Sequence, residues 1–256
     1  MLVDLEQALI PPEDLIMDGS SSTASYLSVG ADMLKVFREQ LPLRPDMRVL
    51  ELGSAAGRIS RQFVNILSGA GEFVGVEIMP KPVEWCQREI GGRFPNFRFI
   101  HADIYNSLYN PQGRIKASAY VFPLPDEQVD LVLLTSVFTH MLRQDIARYL
   151  LEIRRVLRPG GLCFATFFLY AAEEFAKLGT AEARPNFFFP IYREQGRVLS
   201  ICQDNEFLEE AVAYERDFIG RLYRESGLHI ERELPGSWLL GRTGIVSYQD
   251  ALIARK

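Results

Sequence analysis

Hydrophobic positions between residues 48 and 168 follow two alternating patterns: short, nearly continuous apolar runs and longer segments with one apolar face. The first pattern is typical of buried strands and the second of amphipathic helices. Together they predict strands at 48–53, 72–78, 97–103, 129–137 and 162–168, and helices at 57–69, 81–92 and 144–157. Because strands and helices alternate, we expect a parallel sheet with helices on both faces.

The chain on either side of this region is less regular. A helix is predicted over 26–41, with Pro42 beyond its end, and the polar stretch GSSSTAS at 19–25 before it is predicted to be a loop. After residue 205 the pattern predicts a helix near 206–226 and strands at 228–233 and 244–256.

Two long stretches, 104–128 and 169–205, interrupt the alternation. Each follows the carboxyl end of a predicted strand, which is where open α/β sheets bind ligands. Long loops in a compact domain are uncommon unless they are functional. We therefore expect one domain over 1–256, divided into an N-terminal cap and helix (1–44), a core (45–168), a lid-like insertion (169–205) and a C-terminal helix with strands (206–256).

Composition narrows the class of partner. The 256 residues are 48% hydrophobic and carry a formal net charge of -5, which argues against general binding to nucleic acid. The three cysteines form no CxxC pair, so neither a zinc site nor a disulfide framework is indicated. The acidic, proline-containing N-terminus argues against a signal peptide, and the most apolar run is too short for a membrane span. We expect a cytoplasmic protein without membrane, nucleic-acid or metal partners; the oligomeric state stays open.

The sequence VLELGSAAGRIS (49–60) predicts a strand, a glycine-containing turn and a helix. A dinucleotide-binding fingerprint would need glycines at 53, 55 and 58, but those positions hold Gly53, Ala55 and Arg58. The GxxxxGK[ST] sequence of a P-loop is absent. The turn therefore fits neither of these nucleotide-binding motifs.

The same turn resembles motif I of the class I S-adenosylmethionine-dependent methyltransferases. Glu51, Gly53 and Gly57 match that motif, and Ala55 departs from it at the middle glycine. GVEIMP, HADIYN, VDLVLLTSVFTHM and IRRVLRPGGLCFATF follow in the family's order, so the resemblance covers about 45–168. It implies a doubly wound, mostly parallel, seven-stranded Rossmann-like sheet with an N-terminal cap and an insertion after the fifth strand.

The resemblance also implies S-adenosylmethionine as the cofactor. Glu77 would accept hydrogen bonds from its ribose hydroxyls, and Asp103 would read its adenine. Glu51 would either brace backbone N–H groups or contact the ligand, and Thr135 and Ser136 are candidates for contact with the methionine portion. The full set of candidate cofactor-binding residues is Glu51, Gly53, Ser54, Ala55, Gly57, Arg58, Glu77, Ile78, Asp103, Ile104, Thr135 and Ser136.

Residues that could serve the methyl acceptor are harder to assign. His140 follows the fourth strand and would act either as a general base or as a structural hydrogen-bonding group. Tyr26, Tyr105 and Tyr170 are candidate acceptor contacts. The aromatic residues of the insertion would form either ordinary core or the wall of an acceptor pocket. We expect the 19–26 loop and the insertion to close over the cofactor; the alternative is that the insertion is an oligomer contact.

We therefore expect methyl transfer from S-adenosylmethionine to oxygen or nitrogen of a small or medium-sized acceptor, by in-line displacement. A non-catalytic S-adenosylmethionine-binding scaffold or sensor is the alternative. A nucleic-acid methyltransferase is less favoured, because the chain is acidic and lacks an NPPY-type motif after the fourth strand.

Overall fold

The computed structural model of the protein describes residues 8–256, so the first seven residues of the predicted N-terminal cap lie outside the described part. The chain forms two compact units. The first contains the residues up to 103 together with 129–133, and the second contains 104–128 and 134–256.

The first unit is built around parallel strands. Its strands are β1 (Arg48–Leu52), β2 (Glu72–Glu77), β3 (Phe97–His101) and β4 (Val129–Leu134, whose last residue belongs to the second unit), and its helices are α1 (Thr23–Gln40), α2 (Ser60–Phe63) and α3 (Pro80–Cys86). A turn of 3-10 helix covers Glu13–Leu15 and a π-helical turn covers Gln87–Gly91. The strand order is β3-β2-β1-β4, with β1 parallel to β2 and β2 parallel to β3.

All three helices of the first unit differ from their predicted bounds, and the one predicted over 81–92 is α-helical over Pro80–Cys86 and π-helical over Gln87–Gly91. α1 begins at Thr23, inside the predicted loop, because the Ser22 side chain caps it by accepting a hydrogen bond from Ser25 N. The helix predicted over 57–69 is regular only from Ser60 to Phe63. Gly57 has a left-handed φ of 84°, and the N–H groups of Gln62 and Ile66 bond to carbonyls three residues earlier, so tighter turns replace the α-helix on both sides.

The second unit contains the remaining elements: α4 (Arg143–Val156), β5 (Leu157–Tyr170), β6 (Phe189–Glu194), β7 (Arg197–Cys202), β8 (Val212–Glu215), α5 (Arg216–Ser226), β9 (His229–Leu234) and β10 (Asp250–Arg255), with 3-10 turns at Ala117–Ala119, Phe138–His140 and Ala172–Lys177. β10 is antiparallel to both β5 and β9. The far end of β5, Phe168–Tyr170, is parallel to β8, and β8, β7 and β6 continue as antiparallel neighbours.

The predicted insertion is therefore a folded part of the second unit. β6 and β7 form a hairpin whose turn residues Gln195 and Gly196 both have positive φ, as a type I′ turn requires. The sequence predicts one helix near 206–226, whereas the structure has β8 followed by α5. All four β8 residues are buried, so packing in the sheet outweighs their helical propensity.

The predicted fold class is confirmed: the protein is a doubly wound, mostly parallel α/β structure. The described residues form ten strands rather than seven, because β6, β7 and β8 add to the expected set. Within residues 8–256, no helix has the length and apolar character that a membrane crossing requires.

Candidate functional site

The turn between β1 and α2 adopts a left-handed backbone at alternate positions. Gly53, Ala55 and Gly57 have φ values of 73°, 42° and 84°. Gly53 N donates to Val76 O at 2.8 Å, and Gly57 N donates to Ser54 O at 2.9 Å. Ala55 stands where the motif has its middle glycine, so a residue with a Cβ occupies a conformation that favours glycine.

Glu77, at the end of β2, holds this turn in place. Its Oε2 accepts a hydrogen bond from Ala55 N at 2.8 Å, and its Oε1 accepts from Ile78 N at 2.6 Å and Met79 N at 2.9 Å. Burial raises the pKa of Glu77, although these three hydrogen bonds oppose that shift. The carboxylate expected to bind ribose therefore also braces the glycine turn, a second role that sequence reasoning missed.

Glu51, in β1, is a buried acidic residue, and its negative charge is poorly solvated. Its side chain is 1% accessible, and its Oε2 has no hydrogen-bond partner in the structure. Burial raises the pKa of Glu51 well above its usual range, while the positive charge of Arg58 partly opposes the shift. Such a group is stabilised when a cationic or hydrogen-donating ligand reaches it.

Arg58 connects the turn to the segment that precedes α1. Its Nη1 donates to Asp18 O at 3.1 Å and to Ser20 Oγ at 3.3 Å, and it forms an ion pair with Asp18 Oδ2 at 3.1 Å. The bulky side chain that excluded a dinucleotide fingerprint is thus used to anchor part of the predicted 19–25 loop.

Tyr26 does not offer its side chain to an acceptor in this structure. Its side chain is buried, and its hydroxyl donates to Ala56 O at 3.0 Å. The expectation of an acceptor contact is corrected here: Tyr26 supports the glycine turn from α1, because its ring finds an apolar environment and its hydroxyl a backbone acceptor.

The other candidates of the first unit lie at strand ends. Ile78 directly follows β2, and Asp103 comes two residues after the end of β3; both side chains are partly accessible. Ala102 N donates to Glu77 O at 2.8 Å, which holds the chain ahead of Asp103 beside the end of β2. Ile104, the next candidate, belongs to the second unit, where it is buried and bridges to Ile115.

Thr135 and Ser136 follow β4 in the second unit. Ser136 has a φ of 61°, its N–H donates to Thr166 Oγ1 at 2.7 Å, and its Oγ accepts from Gln249 Nε2 at 2.8 Å. Thr166 Oγ1 in turn donates to Gln249 Oε1 at 2.6 Å. Thr135 is partly accessible. Thr166 and Gln249 are distant in sequence from Ser136, so no local pattern could have predicted this polar network.

His140 ends the 3-10 turn after β4 and is partly buried. Its Nδ1 lies 3.1 Å from Glu209 O, and the ring of Tyr109 packs edge-on against it with centroids 5.3 Å apart. Burial lowers the pKa of His140, although backbone hydrogen bonds with Glu209 and Glu210 and the charge of the Glu209 carboxylate oppose the shift. The geometry gives His140 a structural hydrogen bond, and its use as a general base stays a prediction.

The two remaining acceptor candidates differ in accessibility. Tyr105 lies in the 104–128 link and is 46% accessible. Tyr170 is buried, its hydroxyl donates to Val198 O at 2.9 Å, and it packs in a cluster with Phe168, Phe187, Trp238 and their neighbours. The expectation for Tyr170 is therefore corrected to a core role, because the strands of the insertion cover it.

The aromatic residues of the insertion divide between core and surface. Phe187 is buried in the same cluster, whereas Phe188 and Phe189 are exposed. The core alternative thus applies to Phe187, and a lid or acceptor-pocket wall formed by the exposed rings stays a prediction. Closure of the insertion and its use as an oligomer contact stay predictions.

The first unit also has polar groups suited to the implied cofactor. Among the described residues, three buried oxygens at or beside the glycine turn have no hydrogen-bond partner: Glu51 Oε2, Ser54 Oγ and Ser60 Oγ. A buried polar atom without a partner is uncommon in a folded protein. S-adenosylmethionine carries an ammonium group and hydroxyl groups that could donate to such acceptors, so these residues fit the cofactor.

Comparison with known proteins agrees with this fit. Residues 50–165 match the family described as a methyltransferase domain. The chain is 21% identical over 214 residues to the ubiquinone/menaquinone biosynthesis C-methyltransferase UbiE of Shewanella frigidimarina, covering 80% of this chain and 78% of that protein. It is 26% identical over 155 residues to an uncharacterized 37.1 kDa transposon protein of Streptomyces fradiae, of which only 39% is covered.

Similar folds occur among solved structures. The 1,6-didemethyltoxoflavin-N1-methyltransferase of Burkholderia thailandensis, with bound 1,6-didemethyltoxoflavin and S-adenosylhomocysteine, superposes with a TM-score of 0.52 and 16% identity, covering 91% of this chain and 86% of that chain. At this identity the likeness shows the fold. Taken with the family match and the order of the motifs, residues 50–165 form a methyltransferase domain of the class I S-adenosylmethionine-dependent type, an enzyme domain whose cofactor is S-adenosylmethionine.

Proposed function

We propose that this protein transfers a methyl group from S-adenosylmethionine to oxygen or nitrogen of a small or medium-sized organic acceptor. The observation that carries the proposal is the buried Glu51 carboxylate, whose Oε2 lacks a hydrogen-bond partner at the end of β1. A bound cofactor that brings an ammonium group to this carboxylate would offset its burial.

The residues of the first unit have separate proposed roles toward the cofactor. Glu77 and Asp103 accept hydrogen bonds from the ribose hydroxyls and the adenine amine, and the backbone N–H groups after Gly57 bind the methionine carboxylate. Glu77 already accepts three backbone hydrogen bonds, so it has capacity for about one more on its two oxygens.

The acidic chain supports a small acceptor rather than a nucleic acid, since its net charge is -5. The 1,6-didemethyltoxoflavin held by the Burkholderia methyltransferase gives a precedent for a small aromatic acceptor on this fold. The three cysteines are unpaired and buried, which supports a reducing cytoplasmic location.

Two measurements test the function. Calorimetric titration with S-adenosylhomocysteine tests cofactor binding, and NAD serves as the negative control because Arg58 stands where a dinucleotide fold needs glycine. Incubation of a cell extract with the protein and trideuteromethyl-labelled S-adenosylmethionine, followed by mass spectrometry, identifies the methylated product. Heat-denatured protein gives the background.

Each outcome favours one candidate. Binding together with a labelled small molecule supports the proposal. Binding without any labelled product contradicts it and favours the non-catalytic scaffold or sensor. A label on a carbon atom would overturn the oxygen or nitrogen assignment and agree with the C-methyltransferase name of the Shewanella relative.

A further inference from the structure

The backbone carbonyl of Ala55, in the middle of the glycine turn, accepts a hydrogen bond from a cysteine. Cys86 ends α3 and is fully buried, and its Sγ donates to Ala55 O at 3.6 Å. The N–H of the same alanine donates to Glu77 Oε2 at 2.8 Å. Ala55 is thus bonded through both of its backbone polar groups, at a φ of 42° that disfavours a residue with a Cβ.

The next peptide group is bonded to a side chain from another helix. Tyr26, on α1, donates its hydroxyl to Ala56 O at 3.0 Å. Three successive peptide groups, from Ser54–Ala55 to Ala56–Gly57, are therefore bonded to side chains that come from β2, α3 and α1. A peptide group is planar, so a bond at either its N–H or its C=O fixes the orientation of both. Side chains outside the turn thus set the direction of its backbone groups.

The end of α3 also packs directly against Gly57. A Cβ added to Gly57 would lie 3.3 Å from Cys86 Sγ and 2.8 Å from Ile90 Cδ1. Ile90 is fully buried in the π-helical turn that continues α3. The Cys86 sulfur is therefore placed both by its hydrogen bond to Ala55 and by its contact with Gly57.

The thiol and the hydroxyl keep the protons that they donate. Burial, together with the negative charges of Glu51 and Glu77, raises the pKa of Cys86 well above its usual range. Burial likewise raises the pKa of Tyr26 well above its usual range, although the charge of Arg61 opposes the shift. A buried, protonated thiol is chemically inert, so its contribution is to position the backbone.

We propose that Cys86 is a positioning residue for the cofactor: its thiol, with the Tyr26 hydroxyl, aligns the glycine turn so that the turn binds the methionine end of S-adenosylmethionine. This inference rests on the proposed function, in which the N–H groups after Gly57 bind the methionine carboxylate. Those N–H groups follow directly after the bonded peptide groups, so a rotation of the turn would direct them away from the carboxylate. The adenosine end is proposed to bind at the ends of β2 and β3 and depends less on this alignment.

Infrared spectroscopy tests the hydrogen bond without any ligand, because hydrogen bonding lowers the S–H stretching frequency of a thiol. The protein has three cysteines, all unpaired and buried. Cys202 Sγ donates to Phe189 O at 3.5 Å, whereas burial is the only influence that raises the pKa of the Cys163 thiol. We expect the Cys86 band near that of Cys202 and below that of Cys163. A Cys86 band at the Cys163 frequency would overturn the proposal.

Assignment of the bands does not require a variant of Cys86. Cys163→Ala and Cys202→Ala each remove one S–H band, and the band that remains in both spectra belongs to Cys86. The infrared measurement therefore tests the hydrogen bond even if Cys86→Ala does not fold.

Calorimetric titration with two ligands separates alignment of the turn from general stability. S-adenosylhomocysteine has the amino and carboxyl groups of the methionine end, and 5′-methylthioadenosine lacks them. Cys86→Ala should raise the Kd for S-adenosylhomocysteine about three- to tenfold, the range expected for one lost hydrogen bond. The Kd for 5′-methylthioadenosine, measured by competition if binding is weak, should change less than about twofold. Equal changes for the two ligands, or no change for either, would overturn the proposal.

Variants of the second unit remove similar groups that make no hydrogen bond to the turn. Cys163→Ala deletes an equally buried thiol from β5, and Tyr170→Phe deletes a hydroxyl that donates to a backbone carbonyl, as Tyr26→Phe does. We expect both controls to leave the two Kd values unchanged, whereas Tyr26→Phe should act in the same direction as Cys86→Ala. A loss of S-adenosylhomocysteine affinity in the controls as large as that in Cys86→Ala would contradict the positioning role.

The same titrations distinguish failure of this inference from failure of the proposed function. If the unaltered protein does not bind S-adenosylhomocysteine, the proposed function fails and the role of Cys86 fails with it. If the unaltered protein binds S-adenosylhomocysteine and Cys86→Ala binds it equally well, the proposed function stands and the role of Cys86 alone is overturned.

Discussion

Glu77 Oε2 accepts a hydrogen bond of 2.8 Å from the backbone N–H of Ala55, so the end of β2 directly holds the middle of the glycine turn after β1. Ala55 has a φ of 42° at that point. One carboxylate thus stabilises the conformation that the motif normally obtains from glycine. The contact joins two positions of the sequence motif that are 22 residues apart.

Replacing Glu77 should reduce both stability and cofactor binding. Glu77→Ala leaves the N–H groups of Ala55, Ile78 and Met79 without their acceptor, and hydrogen bonds to a charged group contribute about 1.5–3 kcal/mol each. We expect the free energy of unfolding to fall by at least about 2 kcal/mol in urea titrations. We also expect S-adenosylhomocysteine to bind more weakly to this variant than to Glu51→Gln.

Glu72→Ala is the matched control for that experiment. Glu72 begins the same strand, but its ion pair with Arg98 at 2.6 Å lies on the surface, where such pairs contribute about 0–1 kcal/mol. Equal losses of stability in the two variants would contradict the bracing role of Glu77.

Ala55→Gly should stabilise the protein despite the greater freedom that glycine gives the unfolded chain. A left-handed residue with a Cβ costs about 1–2 kcal/mol, and the entropic cost of glycine is about 0.4–1 kcal/mol, so a net gain of up to about 1.6 kcal/mol is expected. Ala56→Gly is the control and should destabilise, because Ala56 has no positive φ. Chemical denaturation of both variants checks the opposite signs.

Gly57→Ala should be more damaging than an alanine substitution at a comparable glycine on the surface. Gly57 has a φ of 84°, and an added Cβ would lie 2.8 Å from Ile90 Cδ1. Gly160 has a φ of 78° but nothing within 4 Å of the added atom, so Gly160→Ala measures backbone strain alone. We expect the first variant to lose about 1–3 kcal/mol more than the second, as for other overpacked sites, measured from denaturation midpoints. Similar losses would mean that the turn can shift to admit the methyl group.

Glu51→Gln should stabilise the protein without ligand, and the gain should depend on pH. The folded-state pKa of Glu51 is raised by burial, so the folded protein binds its proton more tightly than the unfolded chain does. Stability is therefore lost as pH rises from the ordinary carboxyl pKa, about 4.3, through the higher folded value. We expect Glu51→Gln to lose less stability between pH 4 and pH 8 than the unaltered protein does, measured by chemical denaturation at each pH.

The same variant should bind S-adenosylhomocysteine more weakly, because the neutral amide attracts the ligand's ammonium group less strongly. Glu39→Gln on the exposed face of α1 is the control and should change neither the stability between pH 4 and pH 8 nor the affinity for S-adenosylhomocysteine. If Glu51→Gln is less stable than the unaltered protein at pH 8, Glu51 has a favourable partner in the protein itself.

Tyr105 and Tyr170 should respond differently to loss of their hydroxyls. Tyr170→Phe removes the hydrogen bond to Val198 O and should cost about 1 kcal/mol of stability, with KM for the acceptor unchanged. Tyr105→Phe should leave stability unchanged, since that side chain is exposed, and should raise KM if the residue contacts the acceptor. A large rise in the KM for the acceptor in Tyr170→Phe would contradict the core role of Tyr170 and indicate that it contacts the acceptor.

Part of the candidate site was evident in the sequence because its determinants are local. Gly53 and Gly57 are needed where the backbone is left-handed, and Glu77 and Asp103 follow from the spacing of strand ends. The strands β1 to β5 could be predicted because apolar runs and helical segments alternate along this region, apart from the 104–128 link. The β6–β7 hairpin also had a local signal, Gln195–Gly196 between two alternating segments, which the sequence reasoning missed.

The sequence by itself determined the mostly parallel α/β fold, the glycine turn and the order of the acidic residues, since all three depend on residues close together in the chain. Only the tertiary structure decided the contacts between side chains and partners that are distant in sequence. Tyr26 and Tyr170 became supports rather than acceptor contacts because packing buries their rings. The Glu209 carbonyl holds His140 although the two residues are 69 positions apart, a contact that no periodicity encodes because it depends on where folding brings two loops together.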